Sequence, residues 1–262
     1  MKRILNYPGS KWTLAETICE IMPKHVTYLE PFFGSGAVFF TKQPSRIETI
    51  NDLNGRVINF FKVCRDKPEE LARKVALTPV SREEQCQSIE ISADPVEDAR
   101  RFLIQSRQSI GGVQRNLTGW RSNIAVYGSK TINEWNQLPE LIFEVAGRLK
   151  GAQIENQDAL QLLQRYNKKE VLAYVDPPYL LSTRDGRYYE TELEDDQQPK
   201  LLEILNGFKG KIILSGYEND LYDSSLPDWH KLKIESNAES GEKRVEVLWC
   251  NFEPTGQISL FG

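Results

Sequence analysis

The sequence predicts an α/β protein: a doubly wound, mostly parallel sheet carrying an inserted, smaller and mainly helical segment. Three observations predict it. Short runs of β-branched and aromatic residues recur at both ends of the chain, helical stretches separate them, and the stretch from residue 55 to 149 lacks that alternation. In chain order, "HVTYLE" is rich in strand formers, "PFFGSG" follows as a glycine turn, and "AVFFTKQ" opens a helix. "RIETIND" is a second short strand. The next residues are helical, in "GRVINFFKVCRDKPEELARKV" and "PVEDARRFLIQSRQS", and then turn into the basic, glycine-containing "GGVQRNLTGWRSNIAVYGSK". Four further strands are expected at "GAQIENQD", "EVLAYVDPPY", "GKIILSGY" and "VEVLWCNF", with the helix "DDQQPKLLEILNGF" between the second and third. Residues 1–54 and 150–262 should therefore form one α/β unit into which 55–149 is inserted. The terminal "EPTGQISLFG" reads as an unstructured tail.

Bulk properties exclude several classes. The chain has 262 residues, 40% hydrophobic and 27% charged, which suits a globular protein with a sizeable core. "MKRILNYPGSKW" has two cations but no apolar run behind them, which argues against a secretory signal, and no stretch is long and apolar enough to cross a bilayer. Cys19, Cys64, Cys86 and Cys250 are scattered, with no C-x-x-C pair; reduced thiols in a cytoplasm are expected, not disulfides or zinc. His25 and His230 are too few for a histidine metal site or triad. The net charge of −4 hides a local bias: Ala99 to Asn133 holds Arg100, Arg101, Arg107, Arg115, Arg121 and Lys130 and no acid. Such a segment is either a solvated surface or a face for a phosphate backbone.

Gly34 and Gly36 stand between a strand and a helix, where glycine permits a tight turn or the close approach of a ligand. Asp52 ends the next strand about 20 residues on, where an acid can accept hydrogen bonds from a ribose diol. Phe39 stands where a dinucleotide fingerprint needs its third glycine, which argues against NAD and leaves an adenosine cofactor without phosphates, such as S-adenosylmethionine.

The stretch "EVLAYVDPPY" ends a buried strand on a carboxylate followed by two rigid rings. Ligands of open α/β sheets sit beyond the carboxyl ends of strands, where Glu30, Asp52 and Asp176 all fall. Asp176 and the carbonyl of Pro177 are two acceptors on a stiff segment, suited to an exocyclic amine. Holding both N–H bonds favours the pyramidal nitrogen that develops as the amine attacks. Tyr179 offers a flat face for a base.

These motifs, in this order, resemble the Dam-type DNA adenine N6-methyltransferases over nearly the whole chain. "NYPGSK" is similar to the N-terminal cofactor motif, "LEPFFGSGAVFF" to the glycine motif, "NDLN" to the ribose-binding acid and "DPPY" to the catalytic tetrapeptide; "IILSGY" and "GEKRVEVLWCNF" resemble the later strands. The resemblance implies a Rossmann-like methyltransferase fold, S-adenosylmethionine as cofactor with no metal, and transfer to a flipped adenine in duplex DNA. It implies that Tyr7, Pro8, Gly9, Ser10 and Lys11 lie near the cofactor, with Lys11 facing its carboxylate end. Glu30, Phe32, Gly34 and Gly36 would line the methionine side, Asp52 the ribose and Asp158 the adenine. Asp158 reads equally as an N-cap of "ALQLLQRY". Asp176, Pro177, Pro178 and Tyr179 would form the catalytic turn. Tyr188 and Tyr189 either pack inward or cover the flipped base.

Residues 55–149 would be the target-recognition insertion, with Arg107, Arg115, Asn116, Arg121, Asn123 and Lys130 contacting bases or phosphates. Here the chain departs from the family: many members read Arg-Tyr-Asn before a glycine, where this chain has Gln114, Arg115 and Asn116, so GATC recognition is not expected. A cytoplasmic monomer or weak dimer is expected, in a bacterial or phage-infected host, with a restriction endonuclease as partner if it serves a modification system. An N4-cytosine or RNA adenine methyltransferase would share the amine chemistry, but cytosine-modifying relatives often carry Ser in place of Asp176. A non-catalytic DNA-binding protein on this fold is opposed by intact Gly34, Gly36, Asp52, Asp176 and Tyr179.

Overall fold

The computed structural model describes residues 1–112, 119–122, 130–180, 196–237 and 243–254. The strands are β1 (Thr27–Glu30), β2 (Ile47–Asn51), β3 (Ala152–Glu155), β4 (Val171–Val175), β5 (Lys211–Gly216), β6 (His230–Asn237) and β7 (Lys243–Cys250). They form one sheet in the order β3-β2-β1-β4-β5-β7-β6, in which β1 pairs in parallel with both β2 and β4. β7 runs antiparallel to β5 and β6. The expected mostly parallel, doubly wound sheet is therefore present. All five β4 residues are buried, as befits an interior parallel strand covered on both faces. β6 was not anticipated: "HKLKIE" mixes lysines with apolar residues at the sheet edge, and none of these six residues is buried.

Sequence order reverses between β1 and β4, leaving a crevice above their carboxyl ends. The helices before β2 are α1 (Ala15–Glu20) and α2 (Ala37–Thr41). Between β2 and β3 lie α3 (Gly55–Asp66), α4 (Pro68–Ala76), α5 (Arg82–Gln87), α6 (Pro95–Gln108), α7 (Lys130–Asn136) and α8 (Leu138–Leu149). Pro68 divides the first helical stretch: it cannot continue α3 but suits the first turn of α4. Asn54, Ser81 and Asp94 cap α3, α5 and α6 through their side-chain oxygens. After β3 come α9 (Ala159–Arg165), α10 (Gln198–Asn206) and α11 (Asp220–Ser225). Phe60, Phe61, Phe102 and Ile142 from the inserted helices join Tyr28, Ile50 and Tyr174 of the sheet in one buried cluster. These helices thus share the sheet's core and do not build a separate one.

The basic stretch behaves differently from its sequence. Acids just outside the window fold back onto it: Glu97 pairs with Arg100 and Arg101 one helical turn on, and Glu84 also takes Arg100. Arg107 is buried; it donates to the carbonyls of Ile4 and Arg3 and faces Glu134 at 3.6 Å. Its expected DNA contact is corrected here: the guanidinium ties the N-terminal segment to α6. Lys130 is exposed and lies 3.8 Å from Glu134, while Arg121 Nε donates to the Ser109 carbonyl. Arg115, Asn116 and Asn123 lie outside the described residues, as do Tyr188, Tyr189 and the tail beyond Pro254.

Candidate active site

The crevice holds a cleft of about 920 Å³ counted to its open mouth. Its floor is the turn after β1. Gly34 adopts φ +50°, and a Cβ there would stand 3.1 Å from the Tyr7 ring, so this glycine lets the N-terminal motif close over the turn. Gly36 has a different reason. At φ +68°, its Cβ would lie 2.4 Å from the Phe33 ring. Gly36 does not line the cleft, contrary to expectation; it lets the chain enter α2 against an aromatic cluster. Asp52 accepts from the backbone N–H of Gly34 (2.8 Å) and of Asn54 (2.9 Å), one on each oxygen. Asn51 beside it donates to the Pro31 and Gln157 carbonyls, fixing the loops that follow β1 and β3.

At the other end of the cleft the side chain of Asp176 extends beyond β4. Lys11 Nζ lies 3.1 Å from Asp176 Oδ2 and donates to the Gly9 carbonyl at 2.7 Å. Lys11, expected to face a cofactor carboxylate, lines the cleft and pairs with Asp176. Tyr179 turns its hydroxyl to Glu246 Oε2 at 2.7 Å and Asp176 Oδ1 at 3.2 Å, and its ring meets Tyr217 edge-on at 4.7 Å. Gln198 Nε2 donates to the Pro178 carbonyl, which anchors the turn to α10. Glu30 receives the Tyr28 hydroxyl at 2.6 Å.

Burial dominates the acids. It pushes Asp176 up to about 6, with the Lys11 ammonium opposing and Glu246 adding to the rise. Asp52 is likewise pushed up to about 6 by burial, against its backbone hydrogen bonds. Glu30 is pushed up to about 8 by burial, although the Tyr28 hydroxyl favours its charged form.

Most of the expected cofactor residues converge. Tyr7, Pro8, Gly9, Ser10 and Lys11 line one wall; Glu30, Phe32, Gly34, Asp52 and Asp158 line the rest, joined by Asp176 and Pro178. Asp158 caps α9 by accepting from Gln161 N–H, and it lines the cleft as well. Pro177 is buried, and neither it nor Tyr179 lines the cleft. Leu53, Leu160, Tyr174 and Gln197 line it without having been foreseen. Glu246 was also missed, although "VEVLW" carries the signal that marked Asp176: an acid inside an apolar strand.

The charged lining consists of Lys11 and four carboxylates, Glu30, Asp52, Asp158 and Asp176. That set repels a pyrophosphate and suits a cationic ligand with a diol, and S-adenosylmethionine fits it: a sulfonium for the acids, hydroxyls for Asp52. With this switch-point cleft and the acid-Pro-Pro-Tyr turn above β4, the protein is an S-adenosylmethionine-dependent methyltransferase. Residues 7–239 match the family of D12 class N6 adenine-specific DNA methyltransferases, and the chain belongs to that family. It resembles the Type II methyltransferase M1.LlaDCHI of Lactococcus lactis subsp. cremoris at 27% identity, covering 94% of this chain and 95% of the relative. It is 24% identical to the DNA adenine methylase of Salmonella typhi, over 97% of this chain and 96% of that one. The Type II methyltransferase M.MjaIII of Methanocaldococcus jannaschii is also 24% identical, over 95% and 97%. The enzyme thus methylates adenine in DNA.

Proposed function

We propose that the protein is a site-specific methyltransferase that draws its target adenine out of duplex DNA and presents the N6 amine to the cleft at Asp176. The observation that supports this reading is the contact of Tyr179 with Asp176, which lines the same cleft as Asp52. When bound, S-adenosylmethionine supplies a methyl group made electrophilic by its sulfonium; direct attack needs no metal. Asp52 holds the ribose with the acceptor capacity its backbone bonds leave free, and Asp158 stands at the adenine end. Glu30 faces the methionine portion, where a bound cation favours its ionised form.

The Asp176 carboxylate and the Pro177 carbonyl accept the two N–H bonds of the amine and steer its lone pair toward the methyl group. Tyr179 stacks on the extruded base, whose removal from the duplex costs a few kcal/mol that this stacking partly offsets. The insertion between β2 and β3 reads the sequence, with Arg121, Lys130 and the segment holding Arg115, Asn116 and Asn123 as its contacts. The setting is a bacterial or phage-infected cytoplasm, and a restriction endonuclease is the partner if the enzyme belongs to a modification system.

The test incubates the protein with S-adenosylmethionine and unmethylated genomic DNA and identifies the product base by mass spectrometry. N6-methyladenine is expected, and Asp176→Ala should abolish it while calorimetry still detects cofactor binding. Transfer by Asp176→Ala at the parental rate would sink the assignment. Sequencing methylated DNA from expressing cells then reads out the site.

A further inference from the structure

Glu246 has no part in the roles described above, yet it sits at their junction. It lies on β7, is 7% exposed, and divides its two oxygens. Oε2 accepts the Tyr179 hydroxyl at 2.7 Å, while Oε1 stands 3.9 Å from Lys11 Nζ. Lys11 itself lies 3.1 Å from Asp176 and 4.8 Å from the centre of the Tyr179 ring. The ammonium therefore holds the two features that the target adenine needs, the carboxylate for its amine and the ring for its face. A base stacked on the ring displaces Lys11 from that face and competes with it for Asp176, and a cation this buried is costly without a second carboxylate to receive it.

We propose that Glu246 is a positioning residue for methyl transfer: it fixes the Tyr179 ring through the hydroxyl and receives the Lys11 ammonium when the amine takes Asp176. This inference rests on the assignment of amine and ring to Asp176 and Tyr179. Lys11 then works as a stand-in for the substrate, keeping Asp176 ionised and the ring in place until DNA arrives. The shift it must make is short, because Nζ already lies between the two acids.

The test compares Glu246→Gln, Lys11→Met, their double variant, Tyr179→Phe and Asp176→Asn on unmethylated genomic DNA. Cofactor affinity is followed by calorimetry and folding by thermal melting. Glu246→Gln keeps an acceptor for the tyrosine but loses the charge. It should lower kcat by about tenfold or more, the worth of a charge-assisted contact, with cofactor affinity and melting unchanged. Its acid limb should move to lower pH, because burial and the Glu246 charge raise the Asp176 carboxyl against Lys11 and the Tyr179 hydroxyl, and the change removes the Glu246 charge alone. Tyr174, which shares the cleft, also loses the Glu246 charge, but burial holds its hydroxyl well above the ordinary phenol range and outside this limb.

The double variant should lose no more than the worse single one, since both changes act on one transfer of the cation. Tyr179→Phe, which leaves Glu246 and its fold intact, should raise the KM for DNA by loosening the ring. Parental kcat and pH profile in Glu246→Gln would overturn the inference, as would losses that multiply in the double variant. Failure of the underlying assignment is distinct: Asp176→Asn would then transfer methyl groups normally.

Discussion

Gly36 shows how one residue can carry a motif for a reason unrelated to ligand contact. Its φ of +68° lies in the left-handed region, and the space a Cβ needs is held by Phe33 and Phe40. Gly36→Ala should cost about 1–3 kcal/mol in backbone strain, with a further penalty for overpacking. The expected readout is a lower melting temperature, with cofactor affinity retained in whatever fraction folds. Gly34 shares the strain, at φ +50°, but not the overpacking: a methyl there meets only the edge of the Tyr7 ring, at 3.1 Å on the wall of the cleft. Gly34→Ala should therefore lower the melting temperature less than Gly36→Ala does and weaken cofactor binding as well, and calorimetry beside thermal unfolding checks the pair. The two glycines look alike in "FGSGA"; only their surroundings separate packing from access.

Among elements, the contact of α8 with the sheet depends on a buried charge cluster. Glu48 of β2 receives Arg148 from α8 and Lys42 from just beyond α2, and Arg148 also donates to the Phe39 carbonyl. Glu48→Ala would leave the buried Lys42 and the half-buried Arg148 without their carboxylate and should cost about 3 kcal/mol, measured by denaturant unfolding. Burial alone would raise the Glu48 carboxyl, but the hydrogen bonds from Arg148 and Lys42 outweigh it and hold it below its usual 4.5. Its stabilisation is thus present above about pH 4.5 and is lost as pH falls through the lowered value. Arg107 ties residues 3 and 4 to α6 in the same manner, with backbone carbonyls in place of an acid. Both links explain why the inserted helices and the sheet behave as one packed body, although the sequence between β2 and β3 reads as a separate unit.

At the level of the whole molecule, the acids of the cleft set the pH range of the enzyme. In the roles proposed for them, Asp176 must be ionised to accept the amine and Asp52 to hold the diol; burial pushes both up to about 6. Methyl transfer should rise as pH increases through about 6, and cofactor affinity should follow the same limb, which transfer assays and calorimetry between pH 5 and 9 would check. A flat profile across that range would refute the assignment of these roles. Glu30 acts in the other direction on the empty protein. Its carboxyl is pushed from 4.5 up to about 8, so the folded state holds a proton that the unfolded state releases, and this group's contribution to stability falls as pH rises between those values. Glu30→Gln should flatten that decline in melting temperature.

The sequence by itself determined the sheet, the glycine turn and the acid at the end of each cleft strand, because each leaves a local mark: apolar runs, a turn residue, a carboxylate where a strand stops. Strand β6 left a fainter mark: Leu232 and Ile234 alternate with lysines and a glutamate and pack only partly buried against the core, with no apolar run to announce them. Charge in the insertion stayed open between a solvated surface and a face for phosphates. Arg100, Arg101 and Arg107 are adjacent to no acid in their window, yet helix periodicity and folding bring Glu84, Glu97 and Glu134 to them. Glu246 is 70 residues from Asp176 and joins it only because β7 inserts beside β5. Which acid meets which cation is a long-range pairing, and only the tertiary structure decided it.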